Sequence, residues 1–161
     1  MAWTIIVVLS LFMSLPSQSH PTSQIHSSVK VKGTCTITTY RATSWPQLSG
    51  VFTRNIDNPS GYVNTLCSVG IAYTLGLDNG KNYDSSTQMR RLSNLQGSFI
   101  KYAIYKNSGY SAPWGSMSSG NGLSLVGAGT LKTSMLYARI PVQSSVPAGT
   151  YQDMVAVTIN F

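Results

Sequence analysis

Residues that could carry out acid–base or nucleophilic chemistry are sparse in this sequence of 161 residues. Hydrolysis of glycosidic bonds usually requires two carboxylates held on either side of the scissile bond. There is no glutamate, and two of the four aspartates lie in segments with turn-forming sequences, Asp57-Asn58-Pro59 and Asp78-Asn79-Gly80. The full set of carboxylate side chains is Asp57, Asp78, Asp84 and Asp153. This spacing does not indicate a catalytic pair.

The two histidines restrict the remaining catalytic possibilities. His20 and His26 lie at the start of the predicted mature chain, outside the expected core, so a Ser–His–Asp triad would have to be built from its periphery. A metal site is not expected either, because the two histidines that could serve as ligands lie in the same peripheral segment. No glycine-rich loop followed by Lys-Ser/Thr is present to bind a phosphate. We therefore expect neither an enzyme nor a metal or cofactor site.

The two cysteines, Cys35 and Cys67, are the only thiols in the sequence. An even pair in an exported chain is typical of a disulfide. Closing the intervening loop is expected to stabilise the fold by roughly 3–4 kcal/mol on the chain-entropy model.

The N-terminal residues predict export. Residues 3–15 form a mostly apolar run that ends at Pro16, which is too short to cross a bilayer but suits the core of a signal peptide. Ser17 and Ser19 occupy the −3 and −1 positions for cleavage after Ser19. The alternative is a buried N-terminal strand. With cleavage, residues 1–19 are a signal peptide and residues 20–161 form the secreted product.

The net charge of +7 raises the question of an anionic partner. The basic residues are, however, spread from Lys30 to Arg139, and only Arg90 and Arg91 are adjacent. Because no basic stripe alternates with aromatic residues, we expect a solvated surface and no binding of nucleic acid.

The regular secondary structure of the fold is predicted to consist of strands, because apolar residues recur with a period of two between turn residues. No segment has convincing helical periodicity, which favours a β-sandwich. Gly149-Thr150-Tyr151 before a late strand is also typical of the tyrosine corner of immunoglobulin-like sandwiches. The predicted strand-forming segments are residues 25–31, 34–42, 62–77, 99–105, 131–142 and the segment from Tyr151 to the end of the sequence.

The first and last of these segments alternate most clearly. At the end of the sequence, the apolar face comprises Val155, Val157, Ile159 and Phe161, with Asp153 as the one polar residue on that side. In the first segment, one face comprises Ile25, Ser27, Val29 and Val31, while Lys30 and Lys32 point the other way. From the pattern alone, residues 25–31 are equally consistent with an ordinary first strand and with a strand donated to another molecule.

A polar, glycine-rich stretch covers residues 106–122 and contains Trp114. It could be a ligand-binding loop, but we favour a long connection whose tryptophan folds back onto the core.

From Cys67 to Phe161 the sequence resembles the spore coat protein U domain, which is found in subunits of archaic chaperone–usher pili. The most specific match is the corner Pro147-Ala148-Gly149-Thr150-Tyr151-Gln152-Asp153, which leads into an alternating terminal strand. The alternating N-terminal segment ends at Val31, shortly before Cys35, as in the family. The other matching motifs are Cys67-Ser68, Tyr73-Thr74-Leu75, Met89-Arg90-Arg91-Leu92, Tyr102-Ala103-Ile104-Tyr105 and Trp114-Gly115.

The resemblance implies an all-β fold: an incomplete immunoglobulin-like sandwich that lacks its last strand and carries an N-terminal donor-strand extension. The domains are then residues 20–34, the extension, and residues 35–161, the pilin domain. The implied donor residues are Ile25, Ser27, Val29 and Val31. The implied groove and chaperone-contacting strand carries Val155, Val157, Ile159 and Phe161.

The same resemblance implies a structural pilus subunit that polymerises by donor-strand exchange and supports adhesion and biofilm formation. Its expected partners are neighbouring pilin subunits, a periplasmic chaperone and an outer-membrane usher, and its expected location is the cell surface, reached through the periplasm. The alternative function is a self-contained secreted sandwich that binds sugar or a surface polymer through residues 106–122.

Overall fold

The computed structural model describes residues 27–161. Among these residues, every regular element of secondary structure is a β-strand. The strands form a five-stranded antiparallel sheet in the order β1-β2-β7-β5-β4 and a three-stranded antiparallel sheet in the order β6-β3-β8. The predicted all-β architecture is thus confirmed. The strands are β1 (Cys35–Arg41), β2 (Ile56–Cys67), β3 (Ala72–Leu77), β4 (Arg90–Ser93), β5 (Phe99–Tyr105), β6 (Leu123–Val126), β7 (Leu131–Ile140) and β8 (Val157–Asn160).

The core is built from alternating residues of both sheets, as expected when each strand has one buried face. From the five-stranded sheet it takes Val63, Ile100, Tyr102, Ile104, Leu136, Ala138 and Ile140, and from the three-stranded sheet Tyr73, Leu75 and Leu77. The buried Thr65 hydroxyl forms a hydrogen bond of 2.8 Å with the Tyr73 hydroxyl between the sheets. Its polar group is therefore satisfied inside the core.

The predicted turn at Asp57 is wrong, because Asp57 lies near the start of β2 and is paired in register with Arg139 of β7. The proline that suggested a turn is accommodated by a register shift between Asn58 and Gly61. A bulge tolerates Pro59 because the missing N–H is not needed in the ladder there.

The predicted strand-forming run over residues 62–77 is divided in the structure. β2 ends at Cys67, and a turn precedes β3, which begins at Ala72. Gly70 adopts a φ of 77°, a left-handed conformation that glycine enters without a steric penalty. The chain therefore passes from the five-stranded sheet to the three-stranded sheet within this run.

The predicted disulfide joins Cys35 to Cys67. The two residues are paired in the β1–β2 ladder, and Ser68 N–H donates to Thr34 O just beyond them. The bridge thereby holds the first residue of β1, an edge strand, against β2.

Residues 106–122 form the predicted long connection, and Trp114 is fully buried within it. The indole Nε1 donates to Leu75 O at 3.0 Å, and Leu77 N–H donates to Gly115 O at 2.9 Å. The connection therefore pairs with the last residues of β3, which extend past the end of β6. Among residues 27–161, no helix is long and apolar enough to span a membrane.

Candidate strand-binding groove

β8 is an edge strand, since β3 is its only strand partner within residues 27–161. Just before β8, Asp78 N–H donates to Ala156 O at 3.0 Å, and Ala156 N–H donates to the Asp78 carboxylate at 2.9 Å. Backbone groups alternate in direction along an antiparallel ladder. The N–H and C=O groups of Val157 and Ile159 therefore point to the edge of β8 that no described strand covers.

The side chains along this terminal segment alternate as predicted. Val155, Val157 and Ile159 are half-buried and pack against the core, while the intervening residues are exposed. Val155 and Val157 line a groove between the two sheets with a volume of about 140 Å³. Phe161, predicted on the same face, is exposed and lies beside Val126, away from this groove.

The opposite wall of the groove comes from β1. Tyr40 is paired with Val63 of β2, so the two side chains share the inward face of the sheet. Val63 is 1% exposed, whereas Tyr40 is 73% exposed. An inward-facing tyrosine this exposed indicates that a layer of packing is missing over the second half of β1.

Two polar groups in the groove wall have no hydrogen-bond partner among the described residues. They are Nε1 of Trp45 and Oγ1 of Thr43, both buried. The Trp45 ring makes an edge-to-face contact with Tyr102, with ring centroids 5.8 Å apart. A buried donor without a partner is costly, so Trp45 Nε1 is an unsatisfied group in the groove wall. The sequence did not single out Tyr40, Thr43 or Trp45.

A polar cluster around Asp153 lies at one end of the groove. Its Oδ2 accepts a hydrogen bond of 2.8 Å from the Tyr102 hydroxyl, and its Oδ1 accepts from the backbone N–H groups of Lys81 and Asn82. Burial raises the pKa of Tyr102, and the hydrogen bond to Asp153 raises it further. These contacts explain why one carboxylate interrupts the apolar face that leads into β8.

The other carboxylates are held apart from one another in local structural contacts. Asp57 forms a two-point ion pair with Arg139, at 2.6 and 2.9 Å, and the hydrogen bond from Arg139 lowers the pKa of Asp57. Hydrogen bonds from Ser86 and Thr87 lower the pKa of Asp84. Within residues 27–161, no three His, Cys, Asp or Glu side chains are grouped to hold a metal ion.

The predicted donor residues fall on both sides of the boundary of the described chain. Ile25 lies outside the described residues, as do His20, His26 and the predicted signal peptide. Ser27, Val29 and Val31 lie in a segment without regular secondary structure, and all three are exposed. Val29 and Val31 are 87% and 82% exposed, which is unusual for branched aliphatic side chains.

Comparison with known proteins identifies a relative of similar sequence and a solved structure of similar fold. Protein U of Myxococcus xanthus is 32% identical over 78 residues, which represent 48% of this chain and 43% of the relative. A chain in the crystal structure of the CsuC–CsuE chaperone–tip adhesion subunit pre-assembly complex, from archaic chaperone–usher Csu pili of Acinetobacter baumannii, is similar with a TM-score of 0.55. It is 26% identical, and the match covers 81% of this chain and 40% of that chain.

The chain therefore spans about two fifths of the length of each of these proteins. The Spore Coat Protein U domain model matches residues 21–158, which is most of the sequence. The match includes both walls of the groove and the segment that precedes Cys35. The chain belongs to the Spore Coat Protein U domain family.

Proposed function

We propose that this protein is a structural subunit of an archaic chaperone–usher pilus that polymerises by donor-strand exchange. In this proposal, residues 20–34 of one copy are the donor extension, and their alternating segment, residues 25–31, lies in the groove of the next copy and completes its sandwich. The observation that carries the proposal is the open groove between β1 and β8, where the inward-facing Tyr40 is exposed beside the uncovered edge of β8. The likeness to a chain from a Csu pilus complex supports it.

The extension has the chemistry that such a groove requires. Val29 and Val31 are exposed in the described structure, and burying each would contribute roughly 1.5–3 kcal/mol. Ile25 lies on the same face of the alternating pattern, and Lys30 and Lys32 lie on the opposite face, toward solvent. The donor segment is thus apolar on one side and charged on the other.

The direction of the donor follows from the sheet that it extends. Each strand pairing in residues 27–161 is antiparallel. A donor that continues the three-stranded sheet runs antiparallel to β8, and its backbone pairs with the uncovered N–H and C=O groups of Val157 and Ile159. The carbonyl groups of the donor also supply acceptors for Trp45 Nε1, which has no partner in the described chain.

An open groove also accounts for the other proposed partners. Unpaired edges and exposed core residues promote aggregation, so a periplasmic chaperone is expected to cover β8 until an outer-membrane usher brings in the next subunit. We propose export through the periplasm to the cell surface, where the fibre supports adhesion and biofilm formation. In this proposal the chain has no catalytic role.

A peptide-complementation experiment tests the proposed function. A domain that starts at residue 32 is mixed with a synthetic peptide of residues 21–34, and its melting temperature is measured. We expect a rise of several degrees together with a shift in the emission of Trp45, while Trp114 remains buried. A scrambled peptide with the same composition is the control. If neither the melting temperature nor the emission changes, the domain is self-contained and the proposal is wrong.

A further inference from the structure

Exposed large apolar side chains in residues 32–161 are not scattered over the surface. Apart from Tyr40 in the groove and Met154, they lie at the two ends of the sandwich. One group surrounds the Cys35–Cys67 bridge and defines the disulfide end: Leu66, Val69, Val126, Leu131 and Phe161. The other surrounds the turn between β4 and β5 and defines the hairpin end: Val51, Leu95, Phe99 and Val142.

Strand register brings the residues of the disulfide end together. Leu66 is paired with Leu131, next to the paired cysteines, and Val126 is paired with Ala72 at the start of β3. Val69 lies in the intervening turn, where Gly70 N–H donates to Gly127 O. Val69 is 77% exposed. The result is a continuous group of branched aliphatic side chains around one turn.

The hairpin end presents a leucine in a strained conformation. Leu95 has a φ of 62° and is 80% exposed. The Asn94 side chain fixes this turn by accepting hydrogen bonds from the N–H groups of Gln96 and Ser98. A left-handed leucine is uncommon, and its backbone conformation is strained. The hydrogen-bonded turn therefore holds an apolar side chain in solvent in an unfavourable backbone conformation.

The remaining residues of the hairpin end lie around this turn. Phe52 is bridged to Gln143, whose side chain forms hydrogen bonds with both backbone groups of Lys101, so Val51 and Val142 are brought near β5. The two ends are opposite because β2 runs from Ile56 to Cys67, and β7 returns from Leu131 to Ile140.

The short segment between the extension and the domain brings these two surfaces together in neighbouring copies. β8 runs toward the disulfide end, since Val157 is paired with Leu77 and Asn160 with Thr74. A donor antiparallel to β8 therefore leaves the groove of the acceptor at its hairpin end. Only residues 32–34 then remain before Cys35, and they span at most about 10–11 Å. The disulfide end of the donor copy must lie against the hairpin end of the acceptor copy.

We infer that, in the fibre, the disulfide end of each copy packs on the hairpin end of the next, with Leu95 seated among Val69, Val126 and Leu131. This inference rests on the proposed function and adds a second interface to the donor strand. The two surfaces differ, so the contact is heterologous and repeats without closing, as a linear fibre requires. It stiffens the junction that a three-residue link would otherwise leave free to bend.

Cross-linking of assembled fibres tests this contact. Fibres are grown from the mature chain carrying Leu95→Cys with Val126→Cys and treated with a short bismaleimide. The chain has no other free thiol, since both native cysteines are in the disulfide. We expect a ladder of covalent multimers on a denaturing gel. The matched control, Leu95→Cys with Ser118→Cys, places the second thiol on the exposed part of the connection, and we expect no ladder.

The outcomes separate this inference from the proposed function. Fibres that form without a ladder above the control overturn the end-to-end contact and leave donor-strand exchange intact. Failure of the wild-type chain to form fibres, together with failure of the peptide to stabilise the domain, overturns both. As a second measurement, Leu95→Lys fibres are expected to dissociate at lower denaturant concentration than wild-type fibres, with an unchanged peptide-induced rise in melting temperature. Equal resistance to denaturant contradicts the contact.

Discussion

The Tyr102 hydroxyl donates a hydrogen bond of 2.8 Å to Oδ2 of Asp153 and so connects β5 to the segment that leads into β8. The same carboxylate accepts hydrogen bonds from the N–H groups of Lys81 and Asn82. A single side chain thus joins both sheets at one end of the groove. Because it accepts hydrogen bonds from four donors, which belong to Tyr102, Lys81 and Asn82, Asp153 positions the wall that carries Val155 and Val157.

The first prediction concerns the stability of the isolated domain. Asp153→Ala leaves the buried Tyr102 hydroxyl and the Asn82 backbone N–H without their acceptor, so we expect a loss of about 2–4 kcal/mol in the free energy of unfolding. Asp57→Ala is the control, because its ion pair with Arg139 is exposed and is expected to contribute less than about 1 kcal/mol. Urea unfolding followed by fluorescence measures both. Equal losses in the two variants would contradict the role of Asp153.

The second prediction concerns alkaline pH. The pKa of Tyr102 is raised in the folded state, first by burial and then by its hydrogen bond to Asp153. Above the ordinary tyrosine pKa of about 10, the unfolded chain loses this proton while the folded chain keeps it, so the free energy of unfolding falls as pH rises. The contribution is complete below about pH 10 and has a limiting slope of about 1.4 kcal/mol per pH unit.

Unfolding measured from about pH 8 to about pH 11 checks this prediction, with Tyr102→Phe as the comparison. The variant removes the titrating hydroxyl but keeps the ring in the core. We expect its stability to decline less steeply above pH 10. Parallel curves for the two proteins would show that other groups cause the alkaline loss.

Much of the fold was predictable because the long strands repeat with a period of two. The alternation before Phe161 correctly predicted that Val155, Val157 and Ile159 face inward. The tyrosine corner is also confirmed, since the Tyr151 hydroxyl donates to Pro147 O at 2.9 Å. Such local patterns can be recognised from the sequence alone, because the face on which a side chain lies depends only on its position in the strand.

The missed features depend on partners distant in the sequence. β4 contains only four residues, and its Arg90 is buried because it donates to the carbonyl groups of Leu77, Asp78 and Trp114. A buried arginine with no nearby apolar repeat cannot be recognised without those acceptors. Likewise, Trp45 becomes part of the groove wall only through its contact with Tyr102.

The third prediction concerns Trp45. Trp45→Phe removes the unpaired Nε1 donor but keeps an aromatic ring against Tyr102. If a carbonyl group of the donor strand accepts from Nε1, the variant loses about 0.5–1.5 kcal/mol of binding, which is roughly a 2- to 12-fold increase in the Kd of the peptide of residues 21–34. Titration calorimetry measures the Kd. Any loss of stability in the unoccupied domain reflects the smaller ring, because no hydrogen bond is lost there. An unchanged Kd would contradict the role of Nε1.

The fourth prediction concerns the Cys35–Cys67 bridge. The closed loop spans 32 residues of sequence separation, so the Cys35→Ser, Cys67→Ser double variant is expected to lose roughly 3–4 kcal/mol of stability. The end of β1 at Cys35 is expected to fray first, since β2 is the one strand that pairs with β1 in the part of the chain that the structure describes. Hydrogen exchange measures this opening residue by residue. Unchanged protection in β1 would show that the ladder holds the strand without the bridge.

The fifth prediction tests the face of the extension. Val29→Asp and Val31→Asp each place a carboxylate in the apolar groove, where burying an unpaired charge is strongly unfavourable, so we expect fibres to be lost while the folded domain remains. Lys30→Asp introduces the same side chain one residue away, on the face that points to solvent, and is expected to polymerise. Electron microscopy of the assembled material measures fibre formation, and circular dichroism checks the fold. The comparison between neighbouring positions separates the two explanations. Lys30→Asp changes the net charge more than either valine variant does, so an effect of net charge alone would be largest at residue 30. A strand that lies in a groove instead affects residues 29 and 31 and spares residue 30. Normal fibres from the Val29 and Val31 variants would exclude this segment as the donor strand.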